Sequence, residues 1–342
     1  MIDFLTGIRP TNALHIGNYF GALKPFVEFQ SKASGIIMIV DYHAMDTETH
    51  PEALRQNILL LTATYLAVGV DVEKNILFQQ SRVPEHPELA WIFSTLMRMS
   101  ELSRMTQYKD KAVARGENVP VALFSSPLLM AADILLYDAK SVPVGEAQVQ
   151  HVEFARNAGE RFNKTYGDTF HIPKVEITKT GARVMALDNP EKKMSKSAAS
   201  NKGYISLLDA PEMVQKKVMA AVTDAKGTVG YGDDQPGIKN LLDILSLASG
   251  KSIETLVASY TGKGYGDLKR DVAEAVNVML TPIQARMKTY LDDPAELNII
   301  LDRGALRAQE IAREKMESVR RKIGVNIEYS APNKGERRRE KV

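Results

Sequence analysis

The run Gly35-Ile36-Ile37-Met38-Ile39-Val40-Asp41 sets five apolar residues in a row between a glycine and an acid. A strand with one wet face would alternate apolar and polar residues, so a continuous run demands cover on both sides. Helices in crossover connections provide such cover, and the flanking sequence supplies them. Ile2 to Leu5 reads as a short strand. The turn-rich Thr6-Gly7-Ile8-Arg9-Pro10-Thr11-Asn12-Ala13 follows, then a helix from about Leu14 towards Gln30 with Ile16, Phe20, Leu23 and Val27 on one face. Thr49-His50-Pro51-Glu52 has the pattern of a capping box before a helix carrying Leu54, Ile58, Leu61, Tyr65 and Leu66. Asn75 to Gln79, Val142 to Gly145 and Val184 to Leu187 read as three more strands, with a helix over Glu146 to Asn163 between the last two. This alternation predicts an α/β fold: a doubly wound parallel sheet of about five strands with right-handed crossovers.

Glu88 to Lys111 reads as one helix, with the only tryptophan, Trp91, in the core, and Arg115 to Asn118 is a polar break. After Ser200 the pattern is helical throughout. Asp209-Ala210-Pro211-Glu212 opens one helix, and Ile238–Ser249, Ile253–Tyr260 and Leu268–Tyr290 follow, the last kinked or split at Pro282. A final helix starts at Asp292-Asp293-Pro294 and ends near Ile323. At 342 residues the chain is long enough for two domains. The expected division is an α/β domain over 1–200 completed by a C-terminal helix in 291–330, an inserted helical domain over 201–290, and a basic tail over 331–342.

The chain has no cysteine, which excludes disulfides, thiolate nucleophiles and cysteine-ligated metal sites. A formal net charge of +2 is too small to mark a nucleic-acid binder, so such a role has to rest on local patches. One patch is the tail, where Lys334, Arg337, Arg338, Arg339 and Lys341 read first as a solvated end. Met1 to Gly7 have neither the basic nor the apolar segment of a secretory signal. No apolar run reaches the roughly 18–20 residues of a membrane span. The expectation is a cytoplasmic protein with no membrane partner.

Ligands of open parallel sheets bind beyond the carboxyl ends of the strands, which makes Asp41, His43 and Gln79 to Ser81 candidates. For His43 a ligand role and a hydrogen-bonded structural role stand level. Pro127 to Tyr137 is a helix that is apolar almost all round, interrupted by Asp133. A buried, unpartnered carboxylate costs several kcal/mol. Asp133 therefore has to face a backbone end, a cation or a ligand donor, and its own helix offers nothing to satisfy it.

Two stretches suit an anion. The loop ending at Ala13 leads into the helix start Leu14-His15-Ile16-Gly17-Asn18, where backbone N–H groups and a positive dipole end converge. Neither a G-x-G-x-x-G nor a P-loop pattern is present there. The second is Lys192-Lys193-Met194-Ser195-Lys196-Ser197-Ala198-Ala199-Ser200, after the turn-forming Asp188-Asn189-Pro190. Ammonium, hydroxyl and backbone donors together are what a polyphosphate needs as charge builds up during its displacement. Alone, the run reads as a solvated loop.

Pro10-Thr11-Asn12-Ala13-Leu14-His15-Ile16-Gly17-Asn18, paired with Lys193-Met194-Ser195-Lys196-Ser197 about 180 residues later, resembles the two signatures of class I aminoacyl-tRNA synthetases. The closer resemblance is to bacterial-type tryptophanyl-tRNA synthetases. It runs through Gly17 to Leu23, Asp41-Tyr42-His43-Ala44, Glu101 to Gln107, Met130 to Tyr137, Pro143-Val144-Gly145-Glu146, Ala221-Val222-Thr223-Asp224 and Gly262 to Gly266, nearly the whole chain. The resemblance implies a Rossmann-like catalytic domain, an anticodon-reading helical domain and an α2 dimer bridged by each tRNA. The activity it implies is ATP-dependent formation of tryptophanyl-adenylate, then transfer to tRNA(Trp). By the same resemblance Arg9, Pro10, Thr11, Gly17 and Asn18 line the ATP site, with His15 and Asn18 on the phosphates. Gly145, Glu146, Ala147 and Val184 hold the nucleoside. Lys193, Met194, Ser195, Lys196 and Ser197 close on the triphosphate, Lys111 lies near the phosphates, and Mg2+ arrives with ATP. Asp133 accepts the indole N–H, with Met130, His43 and Gln148 around the ring.

Several positions depart from the family pattern. Arg9 and Asn12 stand where Gln and Gly are common, Leu5 and Ser126 replace aromatics near the indole, and Ala147 replaces an acid. The rival readings are a tyrosyl-tRNA synthetase, a non-catalytic RNA-binding paralogue, and a small-molecule nucleotidyltransferase, the last of which lacks a large helical appendage.

Overall fold

The computed structural model describes residues 2–11, 13–47, 50–145, 148–177, 183–195 and 201–326. Asn12, Thr49, Glu146, Ala147, Lys196, Ser197 and the 331–342 tail lie outside the described residues.

Five parallel strands, β1 (Phe4–Ile8), β2 (Gly35–Ile39), β3 (Ile76–Gln79), β4 (Ser141–Val144) and β5 (Lys174–Ile177), form one sheet in the order β3-β2-β1-β4-β5. The β1–β2 crossover is α1 (Ile16–Asn18), a π-turn over Tyr19–Leu23, and α2 (Lys24–Phe29). Helix α3 (Pro51–Ala67) joins β2 to β3. Its N-cap is His50, whose side chain makes no capping hydrogen bond. Four helices, α4 (Glu85–Ser94), α5 (Met99–Leu102), α6 (Thr106–Arg115) and α7 (Val121–Leu135), lie between β3 and β4, and α8 (Val149–Tyr166) between β4 and β5.

All five residues of β2 are buried, and alternation divides them between two cores. Ile37 and Ile39 join the core that holds Leu61 and Tyr65 of α3; Ile36, Met38 and Val40 join the one that holds Leu89, Leu128, Ala131 and Ala155. Beyond β5 come α9 (Pro211–Met219), α10 (Pro236–Ser249), α11 (Ile253–Ser259), α12 (Tyr265–Asp292) and α13 (Pro294–Ile323). Val214, Leu241, Val272 and Leu280 of these helices belong to the same core as Ile37 and Ile39, so the helical segment is continuous with one face of the sheet. Helix α13 runs against β3 and α4 and contributes to both cores, Leu297 and Leu301 to one and Ala305, Ala308, Ala312, Met316 and Val319 to the other.

Four expectations need correction. Val184–Leu187 is not a sheet strand; the fifth strand is Lys174–Ile177. The apolar residues Val184 and Leu187 are buried in the core that the later helices share with one face of the sheet, and among the described residues Met185 pairs only locally, antiparallel to Lys193. The Asn240 side chain, donating to the Met185 carbonyl at 3.0 Å and accepting from its N–H at 2.9 Å, does what a neighbouring strand would have done. Glu88–Lys111 is not one helix but parts of three. Trp91 is not core: it is 74% exposed, because Leu89, Ile92 and Phe93 form the buried stripe of α4 at helical spacing and position 91 falls off it. Pro282 does not split its helix, since α12 runs through it.

Where α13 crosses β3, a Cβ on Gly304 would stand 1.8 Å from the carbonyl oxygen of Leu77. Backbone cannot retreat as a flexible side chain can, so α13 would have to lift off the sheet. Gly304→Ala is expected to lower unfolding stability by about 1–3 kcal/mol in urea titrations, the usual range for overpacking. An unchanged midpoint would mean that α13 does not lie this close to the strand.

Candidate active site

The strand order reverses direction between β1 and β4, and in such sheets that reversal opens a crevice at the carboxyl ends. A cavity of about 500 Å³ lies there, walled by Gly7, Ile8 and Arg9 where β1 ends and by Val144 and Gly145 where β4 ends. Leu5, His43, Lys111, Ser126, Met130, Asp133, Gln148 and His151 line it too. Sequence positions from 5 to 151 thus share one wall because four consecutive crossovers deliver their loops to the same edge.

Asp133, on α7, is only 4% exposed. Its helix offers no partner, as its apolar sequence suggests, but neighbouring elements do. Oδ2 lies 2.8 Å from His43 Nε2; Oδ1 accepts from Gln80 Nε2 at 2.7 Å and stands 2.7 Å from His86 Nδ1. Burial pushes the carboxyl's pKa up, but the contacts from His43 and His86 outweigh it and hold the group well below the usual carboxylate range. The carboxylate is therefore ionised and pre-aimed before anything enters the cavity. Gln80 in turn accepts from the Tyr42 N–H at 3.2 Å. Asp41, another candidate, is occupied structurally: it accepts from Gln79 Nε2 at 2.7 Å and from the Ser81 N–H at 3.0 Å, tying the ends of β2 and β3.

At the cavity wall Asp46 gathers cations. Arg9 donates to its Oδ1 at 3.1 Å, Lys111 Nζ is 3.6 Å from its Oδ2, and Arg115 donates to its backbone carbonyl at 2.7 Å. Burial, then the nearby Arg9 charge, lowers the Lys111 pKa. One carboxylate among three cations leaves local positive charge beside the cavity, suited to an anion.

The first anion-type stretch folds as a reciprocal cap. His15 Nδ1 accepts from the Asn18 N–H at 3.3 Å while Asn18 Oδ1 accepts from the His15 N–H at 3.1 Å. An accepting Nδ1 places the imidazole proton on Nε2. Thr11 N–H bonds back to the Arg9 carbonyl at 2.9 Å, so Pro10 sits in a tight turn. The lysine stretch comes to the same place. Met194 is buried in the core beneath α1, and a Cβ on Gly17 would sit 3.5 Å from Met194 Cβ. The Met194 N–H donates to the Val184 carbonyl at 3.0 Å, Val184 being fully buried. Leu14 to Ile16 pair with Ile205 to Leu207, through Ile16 N–H to the Ile205 carbonyl at 3.0 Å and Leu207 N–H to the Leu14 carbonyl at 2.8 Å. Met194 is thereby anchored against Gly17, with Lys193 and Ser195 its neighbours in the chain, and none of His15, Gly17, Asn18, Lys193, Met194 and Ser195 lines the cavity.

Sequence reasoning passed over Asp46 and His86. His86 had a usable signal, since it follows the carboxyl end of β3 by a few residues, where Gln79 to Ser81 had already drawn attention. Asp46 had none apart from its place after β2.

The family of class I tRNA synthetases specific for W and Y matches residues 1–281, and the chain belongs to it. The tryptophan--tRNA ligase of Clostridium tetani is 47% identical over 319 residues, 93% of this chain and 94% of the relative. That of Bacillus subtilis is 47% identical over 94% of this chain and 97% of its own length. Among solved structures, the tryptophanyl-tRNA synthetase of Campylobacter jejuni, complexed with ADP and tryptophan, superposes with a TM-score of 0.85 at 37% identity, covering 94% of this chain and 100% of that one.

The His151 imidazole, buried at the cavity wall with Nδ1 unpartnered among the described residues, is pushed down to about 4, first by burial and then by His43 and Lys111 nearby. The unfolded chain takes up that proton near 6.5 and the native state near 4. Stability therefore falls as pH drops through this window, and the loss is complete below it. His151→Gln is expected to lose less stability than the parent between pH 6.5 and 4, by a few kcal/mol on the scale of about 1.4 kcal/mol per pKa unit. Parallel denaturation curves at the two pH values check this, and identical pH dependence would contradict it.

Proposed function

We propose that this protein activates L-tryptophan with ATP and transfers the product to tRNA(Trp). The tryptophan carboxylate attacks the α-phosphorus, the bond to the β-phosphate breaks and diphosphate leaves; a ribose hydroxyl of the tRNA then takes the tryptophanyl group and AMP departs. The single observation that carries this reading is the ionised Asp133 carboxylate in the wall of a switch-point cavity, in a chain nearly half identical to named tryptophan--tRNA ligases. A phenylalanine side chain would leave that acceptor without its donor, which buried polar groups penalise heavily.

In-line displacement asks the protein for positioning and charge stabilisation rather than covalent chemistry. We assign Lys111, Arg9 and the Nε2–H of His15 to the phosphates, with Pro10, Thr11, Gly17 and Asn18 shaping the surrounding backbone. Lys193, Ser195, Lys196 and Ser197 close over the triphosphate as charge develops, and Met194, buried in the core, anchors the stretch. Gly145, Glu146, Ala147 and the Val184 backbone face the nucleoside, the Val184 side chain being buried in the core, and Leu5, His43, Met130 and Gln148 surround the indole. Mg2+ enters as the counterion of ATP. The 201–290 segment reads the anticodon, and the protein acts in the cytoplasm.

We further propose a homodimer. Trp91 and Met99, 74% and 75% exposed on adjoining helices, are the kind of large apolar surface that a partner copy covers. Sedimentation of Trp91→Glu is expected to give monomers where the parent gives dimers; a parent that sediments as a monomer would refute it.

ATP–diphosphate exchange measured with each of the twenty amino acids tests the reaction. Exchange should depend on tryptophan and be lost in Asp133→Ala. Tyrosine-dependent exchange, or none, would overturn the reading. Lys196→Ala should lower kcat by about 100-fold or more while moving the tryptophan KM little, because its contact matures only in the transition state.

A further inference from the structure

Behind Asp133, on the side away from the cavity, lies a pair of residues that the reaction does not touch. His86, in the first turn of α4, is fully buried, and Tyr137, just past α7, is 1% exposed. Tyr137 Oη is 2.8 Å from His86 Nε2, and His86 Nδ1 is 2.7 Å from Asp133 Oδ1 in a bent contact. A nitrogen and a carboxylate oxygen that close need a proton between them, so Nδ1 carries it and Nε2 accepts from the phenol. Burial, reinforced by the Asp133 and Glu85 charges, pushes the Tyr137 pKa up and keeps the phenol a donor. Phe78 stacks on the His86 ring at 6.1 Å and meets Tyr137 edge-on at 5.9 Å, which fixes both rings.

A carboxylate offers about four acceptor positions. Gln80 and His86 occupy the Oδ1 side of Asp133, and His43 takes one position on Oδ2. His43 and Asp133 both line the cavity, whereas Gln80 and His86 do not. One acceptor position on Oδ2 therefore stays unspent.

We propose that His86 and Tyr137 are positioning residues that pin Oδ1 of Asp133 and so reserve the free lone pair of Oδ2 for the N–H of the substrate's indole. This rests on the tryptophan reading above. Tyr137 specifies the His86 tautomer, His86 sets the rotation of the carboxylate, and neither touches the substrate. Without the phenol, His86 can move its proton to Nε2, turn a lone pair towards Oδ1 and let the carboxylate swing.

The test compares tryptophan with β-(3-benzothienyl)alanine, whose sulfur replaces the indole N–H in a ring of nearly equal shape. Exchange kinetics are measured for the parent, Tyr137→Phe, His86→Leu and His86→Asn. Asn sets an amide donor near the place of Nδ1, so it should restore what Leu removes. For Tyr137→Phe the expected result is a roughly 3–10-fold rise in the tryptophan KM, the scale of one misplaced hydrogen bond, with kcat less affected. The preference for tryptophan over the thienyl analogue should fall by the same factor while kcat/KM for the analogue stays put. His86→Leu should lose more of that preference and His86→Asn most of it back. Equal losses on both substrates would mean that the pair only supports the fold and would overturn the proposal, as would an unchanged preference in Tyr137→Phe. Should His86→Leu fail to fold, the other two variants decide. A parent that does not exchange with tryptophan at all would instead refute the functional reading, so the two failures are distinct.

Discussion

A parallel sheet buried on both faces imposes one constraint from which most of this molecule follows. Once β2 is covered on each side, its side chains are buried in the two cores, and chemistry is left to the loops and crossover helices gathered at the strands' carboxyl ends. The order β3-β2-β1-β4-β5 then separates the loops after β1 and β4 and leaves a cavity where they part. The site's place is thus a consequence of topology. Its chemistry is a consequence of which side chains the crossovers happen to deliver there.

The most expensive of those side chains is Asp133. An ionised carboxylate inside an apolar helix is tolerable only with polar partners close by; His43 and Gln80 supply hydrogen bonds and His86 a bent contact. The same donors that stabilise the charge also orient it. A comparable arrangement holds at Asp46, where a single carboxylate keeps Arg9, Lys111 and Arg115 near one another and leaves positive charge to spare. Two opposite electrostatic solutions therefore face one cavity: a negative group held by imidazole and amide side chains deep in its wall, and a cationic cluster around an acid. An amino acid with an indole ring and a polyphosphate are complementary to that pair.

Much of this was legible beforehand. The buried run at 35–41, the four other apolar segments and the change to helices after Ser200 led to the α/β class, to the sheet of about five strands and to the helical segment. Two errors share a cause. Val184–Leu187 reads as a strand and Trp91 as core because both are apolar, and apolar character records burial or contact without saying against what. Val184 is buried in the core that the helices share with one face of the sheet without being a strand of it, while Trp91 lies off the buried stripe of α4. The oddity of Asp133 was visible in its surroundings, but its partners were not, since 90, 53 and 47 positions separate it from His43, Gln80 and His86 and no local pattern links them.

By itself the sequence determined the residue types, the periodicities and the two anion-suited stretches, because those depend on contacts a few residues long. Tertiary structure alone decided that His15, Gly17 and Met194 meet, that Asp46 gathers its cations, and that His86 stands behind Asp133 with Tyr137 behind it. Such contacts join segments dozens to almost two hundred residues apart, and their energies are settled only when helices and strands pack and exclude water. A hydrogen bond between distant residues leaves no trace in the spacing of either one.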